Sequence, residues 1–275
     1  MTGARLPKRW KSGTLRFTEL MEHLFAQNNA DLLAQFALAR VLVSFDFDGT
    51  LAPSVADRRS ARMRAQTVRL FESVCERFPC VVLSGRSRAD LLTRLSGARV
   101  ERIVSNLGFE AGRADSSVKH AITRARGWLH AELGGVQGVE IEDRVSSLAV
   151  HYRRSRRKRE TRELITRLGS QLPAEFRLLP GKLVVNVVHS RAPTKASAIL
   201  RLRDELEADT VLYVGDDESD EEVFQLDQPG RLFAVRVGRS RSSHAAYYLR
   251  DQSEIDRLLR GLIALRSAPP RSASR

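Results

Sequence analysis

The chain has 275 residues, 42% of them hydrophobic and 29% charged, which supports a folded globular protein of one large or two small domains and excludes wholesale disorder. Lysine and arginine outnumber aspartate and glutamate by 46 to 33, for a formal net charge of +13, yet the excess is spread along the whole length. It lacks the aromatic interleaving or zinc-ligand spacing of a nucleic-acid binder, so nucleic acid is not expected as a partner despite the basic segment 153–159.

The N-terminal stretch MTGARLPKRWKSG has no apolar core of a signal peptide, and no run of 18 apolar residues predicts a membrane span. Cys75 and Cys80 are the only cysteines and read as buried free thiols, which makes the cytoplasm the expected location. Residues 1–40 form an N-terminal extension in which 17–39 has amphipathic helical spacing, suited to packing on the core or on a partner. The apolar run 41–45 then reads as a strand buried on both faces. Helical spacing over 58–77 and 88–96 separates it from further apolar runs at 80–83 and 103–104. Later runs at 211–214 and 233–237 also end in polar or glycine-rich turns. This alternation predicts an α/β fold, a doubly wound and largely parallel sheet whose ligand sits beyond the carboxyl ends of the strands.

The middle of the chain has a different texture. A helix is expected over about 116–133, then two alternating segments, VEIEDRV and SSLAVHYR, then a basic helix over about 156–170. Two more candidate strands, AEFRLLP and KLVVNVVHS, meet at Pro180-Gly181. This is an α+β module inserted into the α/β domain, with 41–112 and 190–265 as the core and 113–189 as the insertion. The basic run RRSRRKR at 153–159 reads as a solvated helix start or as a contact for an anionic partner. The Pro- and Ser-rich residues 266–275 are expected to be disordered.

The chemistry concentrates at strand ends. In DFDGT, Asp46 and Asp48 have the two-residue period of a strand, so both carboxylates point to one side, where burial without a partner is costly. A second acidic cluster, GDDESDEE, places Asp216, Asp217 and Asp220 after another apolar strand. Alone it is either half of a hard-cation site or an acidic helix start favoured by the macrodipole; beside DFDGT the cation reading is preferred, with Mg²⁺ as the expected cofactor. Ser84-Gly85-Arg86 follows a strand and offers a hydroxyl and backbone N–H groups to phosphate oxygens. Lys195, near a helix start, is either an ordinary surface lysine or the cation that steadies a carboxylate and a phosphoryl group.

DFDGTL at 46–51, Ser84, Lys195 and GDDESD at 215–220, in that order, resemble the four motifs of the haloacid dehalogenase superfamily of phosphohydrolases. The resemblance implies that Asp46 attacks phosphorus to form an aspartyl-phosphate, and that Asp48 protonates the leaving oxygen and later activates water. It implies Mg²⁺ held by the Asp46 side chain, the Asp48 main-chain carbonyl and Asp216, with Asp217 and Asp220 as supporting or alternative ligands. Ser84, Lys195, Thr50, Gly85 and Arg86 would surround the phosphate. Only 38 positions separate Asp46 from Ser84, whereas 111 separate Ser84 from Lys195, which is where this superfamily inserts its α+β C2-type cap.

Within that superfamily the middle of the chain is similar to trehalose-6-phosphate phosphatases. NLGFE supplies Gly108 and Glu110, EDRVSSLAVHYR supplies Glu142, His151, Tyr152 and Arg153, and GKLVVNVV supplies Gly181 and Lys182. The implied reaction releases phosphate from trehalose 6-phosphate, with Glu110, Glu142, Arg144, His151, Arg153, Lys182 and Asn186 contacting the substrate. Leu107, Arg144, Asn186 and Ala196 stand where family members commonly carry His, Lys, Glu and Gly. Those departures bear on the sugar, so another sugar phosphate such as sucrose phosphate or a glycosyl phosphate is the alternative substrate. A binding module with catalysis lost is the third reading. No sequence signal sets an oligomeric state.

Overall fold

A computed structural model describes residues 21–267, except 27–28, 30–31, 35–38, 56, 96, 106–115, 145–146 and 227–229. Five residues, Val41–Phe45 (β2), form an interior strand of the main sheet. Val41, Val43 and Phe45 turn to one side of the sheet and Leu42 to the other, where each meets its own apolar cluster. This strand alternation, apolar on both faces, is what a strand covered by helices above and below requires. Phe45 packs edge-to-face on Phe71 at 5.7 Å, with both rings fully buried. Burial of each such ring contributes about 1.5–3 kcal/mol.

Around β2 a seven-stranded sheet runs β1 (Glu22–His23), β11 (Tyr247–Leu249), β10 (Leu232–Val237), β9 (Thr210–Gly215), β2, β3 (Cys80–Leu83), β4 (Arg102–Val104), and every pairing is parallel. Helix α1 (Ala65–Cys75) makes the crossover from β2 to β3, burying Thr67, Phe71 and Val74 on one face. Its 58–64 lead-in is a separate short 3₁₀ turn, Arg58–Ser60, so the helix begins later than the spacing over 58–77 suggests. Helix α2 (Arg88–Arg94) follows β3 and is capped by Ser87, whose side chain accepts from the Asp90 N–H. Cys80 is buried and Cys75 half-buried, both as free thiols.

The second sheet is antiparallel, in the order β5 (Glu140–Asp143), β6 (Ser147–His151), β8 (Val184–His189), β7 (Phe176–Gly181). Helices α3 (Ser116–Leu133) and α4 (Lys158–Gly169) cover one of its faces, where Ile122, Leu129 and Ile165 meet Leu148, Val150, Val185 and Val187. Residues of the opposite face alternate with these. Glu142, Ala149 and Asn186 share one cross-strand row, and Glu140, His151 and Val184 share the next. That face is polar, and it turns toward the parallel sheet.

Two expectations are corrected. The 17–39 segment is not one amphipathic helix, because Glu22 and His23 pair as a parallel edge strand with Tyr247 and Tyr248. The polar backbone of β11 would otherwise lie open at the sheet edge. The β7–β8 turn is not at Pro180-Gly181; both residues stay in the ladder and the reversal falls at Lys182-Leu183, where Leu183 takes φ 62°. The basic run divides: Arg153 and Arg154 line the cavity, whereas Arg157 and Arg159, at the start of α4, are exposed and paired to Glu160 and Glu163. Residues 266–275 lie largely outside the described part. No helix among the described residues is long and apolar enough to cross a membrane.

The last elements complete the core. Helix α5 (Lys195–Glu205) feeds β9, a short helix α6 (Glu221–Phe224) follows it, and α7 (Ile255–Ser267) packs against α1.

Candidate active site

The carboxyl ends of β2, β3 and β9 converge beneath the polar face of the antiparallel sheet, enclosing a cavity of about 920 Å³. Asp46 follows β2 directly, and its N–H donates to Val214 O at 2.8 Å, which ties it to β9. The chain then turns sharply over 47–52, with Ala52 N–H donating to Phe47 O at 2.8 Å. Gly49 sits in this turn at φ +86°, and a Cβ there would lie 2.0 Å from Asp216 Oδ2. Only glycine allows both the left-handed backbone and that approach of the two acidic loops.

Lys195 is the first residue of α5, placed by a reciprocal cap in which Thr194 and Ser197 bond each other's N–H. Its buried Nζ lies 3.0 Å from Asp46 Oδ1 and 2.7 Å from Asp220 Oδ1. It is no surface lysine. Burial alone would lower its pKa, but Asp220 and Asp46 more than offset this and hold it well above the usual lysine range. Asp220 uses both oxygens. Oδ1 accepts from Lys195 and from the Tyr213 hydroxyl at 2.6 Å, while Oδ2 accepts the N–H groups of Asp216 at 2.8 Å and Asp217 at 3.0 Å. With those acceptor sites filled, Asp220 shapes the loop and stays below the usual carboxylate range, because burial is outweighed by Lys195 and the hydroxyl.

Asp46 and Asp216 behave oppositely. Burial pushes Asp46 well above the usual carboxylate range against the pull of Lys195, and the neighbouring Asp220, Asp217 and Asp216 add to the rise. Burial together with Asp217 and Asp220 pushes Asp216 up to about 8. Asp216 Oδ1 is buried without a hydrogen-bond partner, and Oδ2 reaches only the half-exposed Lys182 at 3.6 Å. Among the described residues, Asp46, Asp216 and Asp220 each offer an oxygen within 4.8 Å of the others. A surplus of negative charge, an unpartnered buried oxygen and a donor set made only of carboxylates fit a hard divalent cation. Since Asp220 is saturated, Asp46 and Asp216 are the open donors. Asp217 instead caps the following 3₁₀ turn, accepting from Ser219 N–H at 2.8 Å and its hydroxyl at 2.7 Å.

Most of the other anticipated residues line the cavity. Ser84 is buried at the end of β3, its Oγ accepting the Arg86 N–H at 3.2 Å, and Gly85 lines the cavity beside it. Arg144, His151, Arg153, Lys182 and Asn186 also line the cavity with Glu142. Thr50 is fully buried behind the site and is not among the lining residues; its hydroxyl has no partner among the described residues. Glu110, with Leu107 and Gly108, lies outside the described residues.

Two arginines act differently from what local reading suggests. The Arg86 side chain does not face open space for phosphate. Its Nε and Nη2 grip Asp48 Oδ2 and Oδ1, each at 2.6 Å, while Nη1 meets Asp90 Oδ2 at 2.5 Å. Asp90 passes the tie to Arg94, which donates to the carbonyls of Ala61 and Arg59. Arg58 went unnoticed in the sequence. It lies 3.1 Å from Glu142 Oε2 and 3.9 Å from Asp48 Oδ2, and Glu142 Oε2 also accepts from Arg144 and His151, each at 2.8 Å. Glu142 is thereby held well below the usual carboxylate range: His151, Arg144 and Arg58 together outweigh burial, the largest single influence. Arg153 donates to Val55 O at 2.7 Å, and Arg144 to Asn186 Oδ1 at 3.3 Å. Nothing in a single sequence pairs Arg58 with a residue 84 positions away.

Comparison with known proteins places this geometry. The trehalose-phosphatase family model matches residues 44–253, from within β2 to beyond β11. A trehalose-phosphate phosphatase of Mycolicibacterium paratuberculosis is 29% identical over 245 residues, covering 84% of this chain and 60% of that one. The chain thus spans about three-fifths of the length of that curated relative. The C-terminal domain of C. albicans trehalose-6-phosphate phosphatase superposes with a TM-score of 0.72 at 20% identity, covering 91% of this chain and 99% of that domain. Aspergillus fumigatus trehalose-6-phosphate phosphatase gives 0.61 at 26% identity, covering 89% and 99%. A match that takes in both acidic loops, the buried lysine and the antiparallel sheet above them makes this chain a member of the trehalose-phosphatase family.

Proposed function

We propose that the chain hydrolyses trehalose 6-phosphate to trehalose and inorganic phosphate, using 41–112 and 190–265 as the catalytic core and 113–189 as a cap. The observation that carries this is the buried Lys195 joining Asp46 to Asp220 beside the unpartnered Asp216 oxygen. An attacking carboxylate must be held still and must approach a dianionic phosphate; Lys195 supplies the positioning and part of the neutralising charge. Asp46 and Asp216 would hold Mg²⁺, which when bound neutralises charge on the transferring phosphoryl group.

In the first step an Asp46 oxygen bonds to phosphorus as the bond to the sugar oxygen breaks, and Asp48 delivers a proton to that oxygen. In the second, Asp48 takes a proton from water, whose oxygen bonds to phosphorus as the acyl-phosphate bond breaks, restoring Asp46 and freeing phosphate. Arg86 decides where the Asp48 carboxylate points between these steps. Ser84, buried at the end of β3 and lining the cavity, would donate its hydroxyl to a phosphate oxygen. Glu142, Arg144, His151 and Asn186 present a polar ceiling for sugar hydroxyls. Cys75 and Cys80, both free thiols, suit a reducing cytoplasm.

A second reading keeps the reaction and changes the sugar. It is favoured by the contact of Arg144 with both Asn186 and Glu142, which directs these polar groups partly toward one another. Phosphate release from trehalose 6-phosphate, sucrose phosphate and glycosyl phosphates, each with added Mg²⁺ and with Asp46→Asn as control, separates the two. Turnover of trehalose 6-phosphate no faster than unrelated esters would remove the specific assignment.

A further inference from the structure

Several contacts join the cap to the core. Arg162 meets Glu218 at 3.0 Å and Arg177 meets Glu222 at 2.9 Å, pairs that hold the second acidic segment but do not line the cavity. The pair of Arg58 with Glu142 is different, since both residues line the cavity itself. Arg58 Nη1 lies 3.1 Å from Glu142 on β5 of the cap, and its Nε lies 3.9 Å from Asp48 of the core. The Arg58 carbonyl accepts from Arg86 Nη2 at 2.7 Å, the same nitrogen that grips Asp48 Oδ1. One arginine therefore anchors both the Asp48 carboxylate and the backbone of Arg58.

The charges explain why such a bridge is conditional. Arg144 and Arg86 repel the Arg58 guanidinium, while Glu142 and Asp48 attract it. Around Glu142 Oε2 stand three cationic or hydrogen-bonding groups, and two of them, Arg144 and His151, belong to the cap itself. Arg58 alone comes from the core. Moving the cap away would leave Arg58 crowded by Arg86 with only Asp48 to answer it.

We propose that Arg58 is a positioning residue that clasps Glu142 of the cap to Asp48 of the core, so that closing the cap over a sugar phosphate and aligning Asp48 are one event. This rests on the phosphatase reading above. The clasp matters for a substrate that reaches from the acidic loops to the cap. It matters less for p-nitrophenyl phosphate, which is too short to span both and whose leaving group needs no proton.

The test compares the full chain with Arg58→Gln, Arg58→Lys and Glu142→Gln. In Arg58→Gln, kcat/KM for the sugar phosphate should fall about tenfold further than kcat/KM for p-nitrophenyl phosphate, chiefly through KM. Arg58→Lys keeps the charge but not the two-pronged reach, so it should recover part of that loss. Equal losses on the two substrates, or none on either, would overturn the proposal. A second readout needs no turnover: amide hydrogen exchange. Exchange over 57–61 should quicken in Glu142→Gln, and exchange over 140–143 should quicken in Arg58→Gln, each reporting a substitution in the other domain. If Glu142→Gln leaves 57–61 unchanged, the clasp is wrong whichever ester the enzyme takes. Cross-domain quickening in a chain that releases no phosphate would instead sustain the clasp and dismiss the phosphatase reading.

Discussion

Lys195 and Asp46 are 149 positions apart, yet Nζ and Oδ1 meet at 3.0 Å with both side chains buried. The contact joins the start of α5 to the end of β2, so it reports directly on how the second half of the core docks on the first. Replacing Lys195 with Met should remove turnover and destabilise the fold by about 3–5 kcal/mol, because it strands buried carboxylates without their counter-charge. Denaturant titration of Lys195→Met against the parent protein, with phosphate release measured in parallel, checks both parts. Unchanged stability would show that the carboxylates do not depend on this cation.

The acidic site also predicts a pH dependence for the metal-free protein. Asp216 carries a folded-state pKa of about 8, above the ordinary carboxylate value it has when unfolded. The folded state then binds the proton more tightly, so stability is greatest at low pH and declines as pH rises from about 4 to about 8. Glu142 and Asp220 are held below their ordinary values and act in the opposite sense, losing their contribution as pH falls through the acid range. Thermal melts in EDTA should therefore peak near pH 5 and fall toward pH 8. Added Mg²⁺ should raise the melting temperature most at pH 8, where the carboxylates are ionised. A flat profile in EDTA would contradict this balance of buried charges.

Gly49→Ala gives a sharper test of the loop geometry. Its Cβ would meet Asp216 Oδ2 at 2.0 Å and force a left-handed backbone on alanine, so the two acidic loops must part. Isothermal titration should show Mg²⁺ binding weakened at least about tenfold, with activity lost by about a hundredfold or more. Near-normal binding would mean that the DFDGT turn has more slack than this 2.0 Å approach implies.

Arg86→Lys should lower kcat by about ten- to a hundredfold while changing KM little, since the two-pronged grip on Asp48 would be replaced by a single ammonium contact. Steady-state kinetics on the best sugar phosphate decides this. A rise in KM with kcat intact would place Arg86 on the substrate instead of on Asp48.

Much of this architecture is legible in the sequence alone. The apolar runs ending in Asp46, Ser84 and Asp216 marked the strand ends, because alternation and turn chemistry are local properties. The helical spacing over 116–133 matches α3, and the basic helix start is observed at Lys158. Where reading failed, the cause lay outside the local pattern. Glu22–His23 became a strand because β11 offered a parallel edge, and the β7–β8 reversal moved to Lys182-Leu183 because the ladder through Gly181 outlasted the proline-glycine signal.

Residue types at strand ends were thus enough to nominate the carboxylates, the lysine and the family, since their period and order are written along one dimension. Partnership was not. Arg86 turned to Asp48 and Asp90, Asp220 surrendered its oxygens to Lys195, Tyr213 and two backbone amides, and Arg58 reached across to Glu142. Each choice depends on which buried charges fall within a few ångströms once the sheets are packed, and short-range, dielectric-dependent attraction has no imprint in linear spacing.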